Sequence, residues 1–314
     1  MSSLLHTRLT LFFTFGIFFA NAQQDTVKVG EKVITLSEVV VQKNLDVPAF
    51  IELIKNDTSF YKAFRNLRIL QFSAINDIRM NNSKGKPLAT LRSKTNQVRK
   101  NGCRQTFVTE ADTTGNMFAS SGDYNYYTAR MYASLFFAPQ PVCGENNIVA
   151  GSEFSTQDKK GLEKHKEQLK MLFFNPGRRI SGIPFISNKT AIYSDDLADD
   201  YTMHIALEEF NGKNCYVFRQ KVRRGRESKV VVNEMNTWFN ADDMRIEGRN
   251  YSLSYKAGIY DFDVSMEVIM EQFEDLTVPR LIRYVGDWKA ITRKRERGVF
   301  TAILYGFSRP GDGL

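Results

Sequence analysis

The last third of this 314-residue chain repeats one pattern: residues 202–210, 214–222, 229–239, 244–255, 259–273, 280–288 and 298–307 are rich in β-branched and aromatic side chains. Short turns separate them at 211–213, 223–226, 240–243, 256–258 and 275–277. Strands this long, joined by turns this short, can pair only with their sequence neighbours, which predicts an antiparallel meander. Within 259–271, Tyr260, Phe262, Val264, Met266, Val268 and Met270 alternate with Asp261, Asp263, Ser265 and Glu267. One face of that strand is therefore apolar and the other wet. A strand of this length implies a sheet that curves as well as extends, and its apolar side needs a covering layer.

Upstream segments supply candidate covers. Asp46 is a candidate N-cap with Pro48 in the first turn, and Phe50, Ile51, Ile54, then Phe60, Tyr61, Phe64 and Leu67 recur at helical spacing, with a break near Asn56-Asp57. A second helix is predicted over 158–174, where charged helix formers end in an apolar cluster and Asn175-Pro176-Gly177 stops the run. Residues 69–80, 88–99 and 104–111 read as further strands, with Asn101-Gly102 as a strong hairpin signal. Residues 34–42 (ITLSEVVVQ) are β-branched and predicted to be extended. The class expected is α+β: a long curved antiparallel β-sheet covered by a few helices. The expected organisation is an N-terminal extended segment, 23–45, then a single α+β domain, 46–314, carrying a helical and loop insert at about 115–200.

The first 22 residues have the form of a secretory signal peptide. A lightly basic lead ends at Arg8, 9–19 is unbroken apolar, and Ala20-Asn21-Ala22 is a small-x-small cleavage site. The apolar run is about half of the roughly 20 residues a membrane span needs. A periplasmic or secreted protein cleaved after Ala22 is expected, with no transmembrane span after signal removal. Cleavage removes Arg8 and no acidic residue, so 43 Lys and Arg against 35 Asp and Glu become 42 against 35, a net charge of +7. This excess is spread along the chain and gives nucleic-acid binding no support.

No catalytic signature is present. HExxH, GxSxG, GxxxxGK and GxGxxG are all missing, and the two histidines beyond the leader, His165 and His204, lie in different predicted elements. The acidic pairs Asp195-Asp196, Asp199-Asp200 and Asp242-Asp243 sit in turns, where caps and solvated loops are their usual role. No enzyme, metal site or cofactor is expected. Three cysteines remain in a compartment that permits disulfides. Cys103 and Cys143 could close a bridge, while Cys215 lies in a predicted strand; all three as small buried hydrophobes is the alternative. Basic runs at 219–226 and 293–297 cross hairpin tips. They serve either as edge protection or as a dock for an acidic envelope partner, with Arg223, Arg224 and Arg226 as the candidates.

The runs NGKNCYVFRQ, NTWFNADDMRIEGRNYSLSY, YDFDVSMEVIM and VPRLIRYVGDW, behind a leader and a greasy helix, resemble the LolA-like periplasmic lipoprotein-sorting family. They are similar in particular to secreted Bacteroidetes proteins with this type of sheet. The resemblance covers roughly 202–307. It implies an open half-barrel whose apolar hollow, lidded by helices, holds the acyl chains of a lipid or acylated protein in transit. The implied function is a non-enzymatic carrier; the alternative is a packed accessory protein of the envelope. Candidate cavity residues are Phe262, Val264, Met266 and Val268, with Leu253, Tyr255 and Ile282 as strand neighbours, methionine and aromatics giving an adaptable lining. The same alternation would suit a filled core. A small outer-membrane barrel also uses alternating strands, but the charged helix predicted at 158–169 and the polar tail after Phe307 argue against it.

Overall fold

The period-two pattern folds as expected, into strands of one sheet. The computed structural model describes residues 25–149, 172–179, 186–257, 260–290 and 294–311; the predicted leader at 1–22 and most of the helix predicted at 158–174 lie outside them. In chain order the strands and helices are β1 (Thr26–Val29), β2 (Lys32–Leu36), α1 (Glu38–Gln42), α2 (Val47–Asn56), α3 (Ser59–Asn66), β3 (Gln71–Asn81), β4 (Pro87–Lys100), β5 (Cys103–Gly115), α4 (Tyr127–Phe136) and β6 (Val142–Cys143). They continue with β7 (Tyr201–Phe210), β8 (Lys213–Val222), β9 (Val232–Asn240), β10 (Ile246–Ala257), β11 (Tyr260–Phe273), β12 (Leu276–Ala290) and β13 (Glu296–Ser308).

The sheet has 13 strands in the order β1-β2-β7-β8-β9-β10-β11-β12-β13-β3-β4-β5-β6. It does not close, so β1 and β6 are its edges. Every pairing is antiparallel except β2 with β7, where Ile34, Thr35 and Leu36 align with Met203, His204 and Ile205. The antiparallel pairing of β13 with β3 joins the amino-terminal hairpins to the carboxyl-terminal meander, with Phe300 opposite Ile78 and Ala302 opposite Asn76. Asn101 and Gly102, both at positive φ (52° and 75°), make the two-residue turn between β4 and β5, the backbone a primed hairpin turn requires.

The alternation in β11 is borne out. Phe262, Val264, Met266, Val268 and Met270 are all buried, while Asp263 and Ser265 are exposed. The helices cover this buried face. Asp46 caps α2 by accepting from Ala49 N at 3.0 Å, and the helix buries Val47, Phe50, Ile51 and Ile54. Phe50 meets Tyr216 and Phe239 of the sheet, and Phe60 of α3 meets Tyr251. From α4, Tyr132 packs on Tyr284 and Phe300.

One expectation is corrected. Residues 34–42 are not extended throughout: strand β2 ends at Leu36 and α1 begins at Glu38. The parallel ladder stops where Ser37 N donates to Ile205 O. Beyond it, Val39-Val40-Val41 turn into a helix that buries Val40, so tertiary context overrides the β preference of valine.

Candidate functional site

Two halves of the concave face are built from different residue types. Over β10–β12 the inward positions are large: Tyr251, Tyr255, Phe262, Met266 and Tyr284 are all buried. Phe173 packs at a tilt against Tyr284 and Trp288 there, and Phe262 stacks on Trp288 with 4.8 Å between centroids. Over β3, β4, β5 and β13 several inward positions are small or polar, Ala74, Asn76, Thr95, Gln97, Thr106 and Ala302, beside the larger Ile78, Met80, Leu91, Phe300 and Leu304. Small side chains under the same helical cover leave space. A cavity of about 200 Å³ lies there, between α3, α4 and these strands.

Its apolar walls are Phe64, Leu67, Phe72, Leu135, Phe136, Phe174 and Leu304. Its buried polar floor is satisfied internally. Gln97 Nε2 donates to Leu67 O and Leu70 O, both at 2.7 Å, and Asn76 Nδ2 donates to Thr95 Oγ1 at 3.1 Å. The volume exceeds the roughly 150 Å³ of an apolar cavity that takes benzene. It falls short of the ~300–1,000 Å³ of drug-sized pockets, which suits a short length of acyl chain rather than a whole lipid.

The rim is cationic. Arg65, Arg68 and Arg104 reach it, with Glu145 as the one carboxylate among the described lining residues. Arg104 grips Glu145 by two bonds, Nε to Oε2 at 2.7 Å and Nη2 to Oε1 at 3.1 Å, while Arg68 Nη1 stands 3.7 Å from the same carboxylate. Burial, and then the neighbouring Arg65, hold the Arg68 guanidinium below its usual range, with Glu145 partly offsetting them. Lys62 is likewise depressed by burial and by Arg65.

A strap, residues 137–149, closes one side of this rim. It pairs with β5 through Thr106 N to Ala138 O at 2.7 Å and is bonded to it by the Cys103–Cys143 disulfide, whose cysteines are cross-strand partners. Arg99 Nη2 donates to Glu145 O, Arg65 Nη2 to Asn146 Oδ1, and Lys62 Nζ to Asn147 O. Ser134, one of the hydroxyl residues among the lining with Tyr61, Thr95 and Thr106, donates to Met131 O at 2.7 Å. No histidine or cysteine lines the cavity among the described residues, and no cluster there could hold a metal ion.

The seven sequence-derived cavity candidates share the concave face and are buried: Leu253, Tyr255, Phe262, Val264, Met266, Val268 and Ile282. None of them lines the 200 Å³ cavity. Met266 and Ile282 border a gap of about 10 Å³, which is at the lower limit for one water. The residues that do line the cavity were missed although their strands were read, because small or polar inward positions give no apolar alternation to mark the inner face. Asn76, Thr95 and Gln97 are buried, but that burial follows from the packing over β3 and β4 and left no signal in the local sequence.

Of the candidate docking arginines, Arg223 Nε donates to Tyr201 O at 3.1 Å and Arg226 stands 3.7 Å from Asp200, so both have partners in their own chain; Arg224 is exposed. The second basic run is paired too, with Arg295 on Asp261 and Asp287, and Arg297 on Asp287. The acidic pairs are occupied by local structure: Asp195 by buried Lys32, Asp200 by Arg226 and Asp243 by Arg245. His204 sits half-buried on β7, its pKa lowered by burial and then by Arg219; His165 lies outside the described residues. Burial pushes the Cys215 thiol up to about 11, so it is an unreactive core residue. Among the described residues no helix is long and apolar enough to cross a membrane.

No protein-family model and no curated protein sequence matches the chain. Solved structures do. An outer membrane lipoprotein-sorting protein domain from Vibrio parahaemolyticus is 10% identical, with 84% of this chain and 93% of that one covered and a TM-score of 0.29. A LolA superfamily protein from Nitrosomonas europaea is 10% identical over 80% and 92% of the two chains, TM-score 0.24. A DUF1329 family protein from Desulfovibrio piger ATCC 29098 is 12% identical over 81% and 92%, TM-score 0.25. The open antiparallel sheet with few helices is the architecture the described residues have.

Proposed function

We propose that this protein is a non-enzymatic periplasmic binder or carrier that shelters part of an acyl chain, from a lipid or an acylated protein, in the cavity between α3, α4 and strands β3–β5 and β13. One observation carries this: the cover of an otherwise filled concave face leaves about 200 Å³ unfilled, walled by phenylalanine and leucine and opening beside charged groups. Such a shape takes the apolar end of an amphiphile and leaves its polar end near water. The leader expected at 1–22 fits an envelope address. Docking through Arg223, Arg224 and Arg226 is less favoured, because two of the three hold their own chain together.

The test fills the cavity rather than breaking the core. Ala74 and Ala302 line the cavity and are buried, so Ala74→Phe and Ala302→Phe project a ring into existing space. Native mass spectrometry with lipid extraction, on mature protein purified from its own envelope, should find a bound lipid or acylated species in the wild type. Both variants should lose it while keeping the wild-type melting temperature within a few degrees. A bare wild-type mass, or a ligand retained at equal stoichiometry in both filled variants, would remove the proposal.

A further inference from the structure

Among the described residues, the rim of the cavity carries more positive charge than the carboxylates there neutralise. Arg68 and Arg104 share one carboxylate, Glu145, and Arg65 adds a third charge beside them, which leaves two in excess among the described residues. Arg104 uses Glu145 fully, and Arg68 reaches it only at 3.7 Å. Among the described residues Arg65 has no carboxylate partner. Its Nη2 rests on the neutral amide of Asn146 at 3.1 Å, and its Nε is buried without any hydrogen-bond partner. Lys62 also has a neutral partner, the Asn147 carbonyl at 2.5 Å. A desolvated guanidinium nitrogen facing nothing is costly, and several cations crowded beside an apolar cavity repel one another. An anion at this place would accept from Arg65 and Arg68 and relieve both terms. The planar donor fork of arginine matches a carboxylate or a phosphate, each of which can accept two parallel bonds.

We infer that the rim is an anion site, in which Arg65 and Arg68 bind the carboxylate or phosphate headgroup of an amphiphile whose chain occupies the cavity beside them. This rests on the acyl-chain reading for the chain's position, and on the unpaired cations alone for the headgroup. The ligand class it names is an anionic single-chain amphiphile, such as a fatty acid or a phosphate-bearing lipid, in preference to a neutral one. Glu145 then competes with the headgroup for Arg68 and Arg104, which sets the affinity of an otherwise strongly basic site.

Calorimetric titration of the mature protein with decanoate, decanol and inorganic phosphate, at one ionic strength, tests it. Decanoate should bind about tenfold or more tightly than decanol, the scale of one charge-assisted hydrogen bond. Arg65→Met should bring the two affinities together while leaving decanol unchanged, which also shows that the variant is folded. Glu145→Gln, by releasing Arg68 and Arg104, should widen the preference, an outcome that mere structural damage would not produce. Equal affinity for decanoate and decanol in the wild type, or a preference that neither variant moves, would overturn the anion site while leaving the acyl-chain cavity standing. Phosphate binding that depends on Arg65, with neither amphiphile bound, would support the anion site and remove the acyl-chain reading. Binding of none of the three would overturn both.

Discussion

Arg249 is a guanidinium inside the core. It is 4% exposed, lies 4.5 Å over the ring of Phe60, donates from Nε to Thr237 Oγ1 at 2.9 Å and has Asp57 at 3.8 Å as its counter-charge. Asp57 also accepts from Ser59 N at 2.8 Å, so one carboxylate starts α3 and neutralises a buried cation. Asp57→Ala should therefore cost about 3–5 kcal/mol, the scale of leaving one member of a buried pair alone, read as a shift of the urea midpoint. A second residue ties stability to pH. Burial raises the Glu208 pKa, but the bonds from Arg219 Nη2 at 2.6 Å and Trp238 Nε1 at 2.7 Å outweigh it and leave the carboxyl below its ordinary value of 4.5. A depressed acid stabilises above its unfolded pKa and loses that contribution as pH falls through the folded one. The stability gap between wild type and Glu208→Gln should thus stay constant above about pH 5 and narrow on further acidification, as equilibrium denaturation across pH would show. Neither residue was legible as important from the sequence, because both act through partners on distant strands.

At the scale of elements, the strap over the rim depends on its staple. The Cys103–Cys143 bond closes a separation of 40 residues, for which chain-entropy reasoning gives at most about 4 kcal/mol. Replacing both cysteines by serine should lower stability by up to that amount in a denaturant titration. It should also raise hydrogen exchange in 137–149 more than in β10–β12. The cysteine spacing allowed this bridge, but only the pairing of β5 with β6 places Cys103 opposite Cys143. Elements with strict periodicity were legible: β11 from its alternation, α2 from Asp46, Pro48 and its spaced apolar residues, and the β4–β5 hairpin from Asn101-Gly102. Helix α1 was not, because three consecutive valines carry a strand preference that the end of the β2–β7 ladder overrules.

Across the whole molecule, the open 13-stranded sheet is filled on one part of its concave side and hollow on another. The two regions should respond oppositely to substitution. Val264→Asp puts a carboxylate at a position 1% exposed, with no partner in prospect, and should prevent folding, as far-UV circular dichroism would report. Ala74→Phe, on the same face of the same sheet, should be tolerated. What the sequence determined by itself was the class and half of the architecture. Period-two alternation over long runs with short turns permits only neighbour-to-neighbour antiparallel pairing, and an apolar face that wide demands helices over it. What only the tertiary structure decided was where the cover fails to fill. Side-chain size at alternate positions of β3, β4 and β13 acquires meaning only once the β13–β3 pairing sets Ala302 beside Asn76 and α3, α4 and the strap close over them. An unfilled volume belongs to the packing of many elements, so no single stretch of chain encodes it.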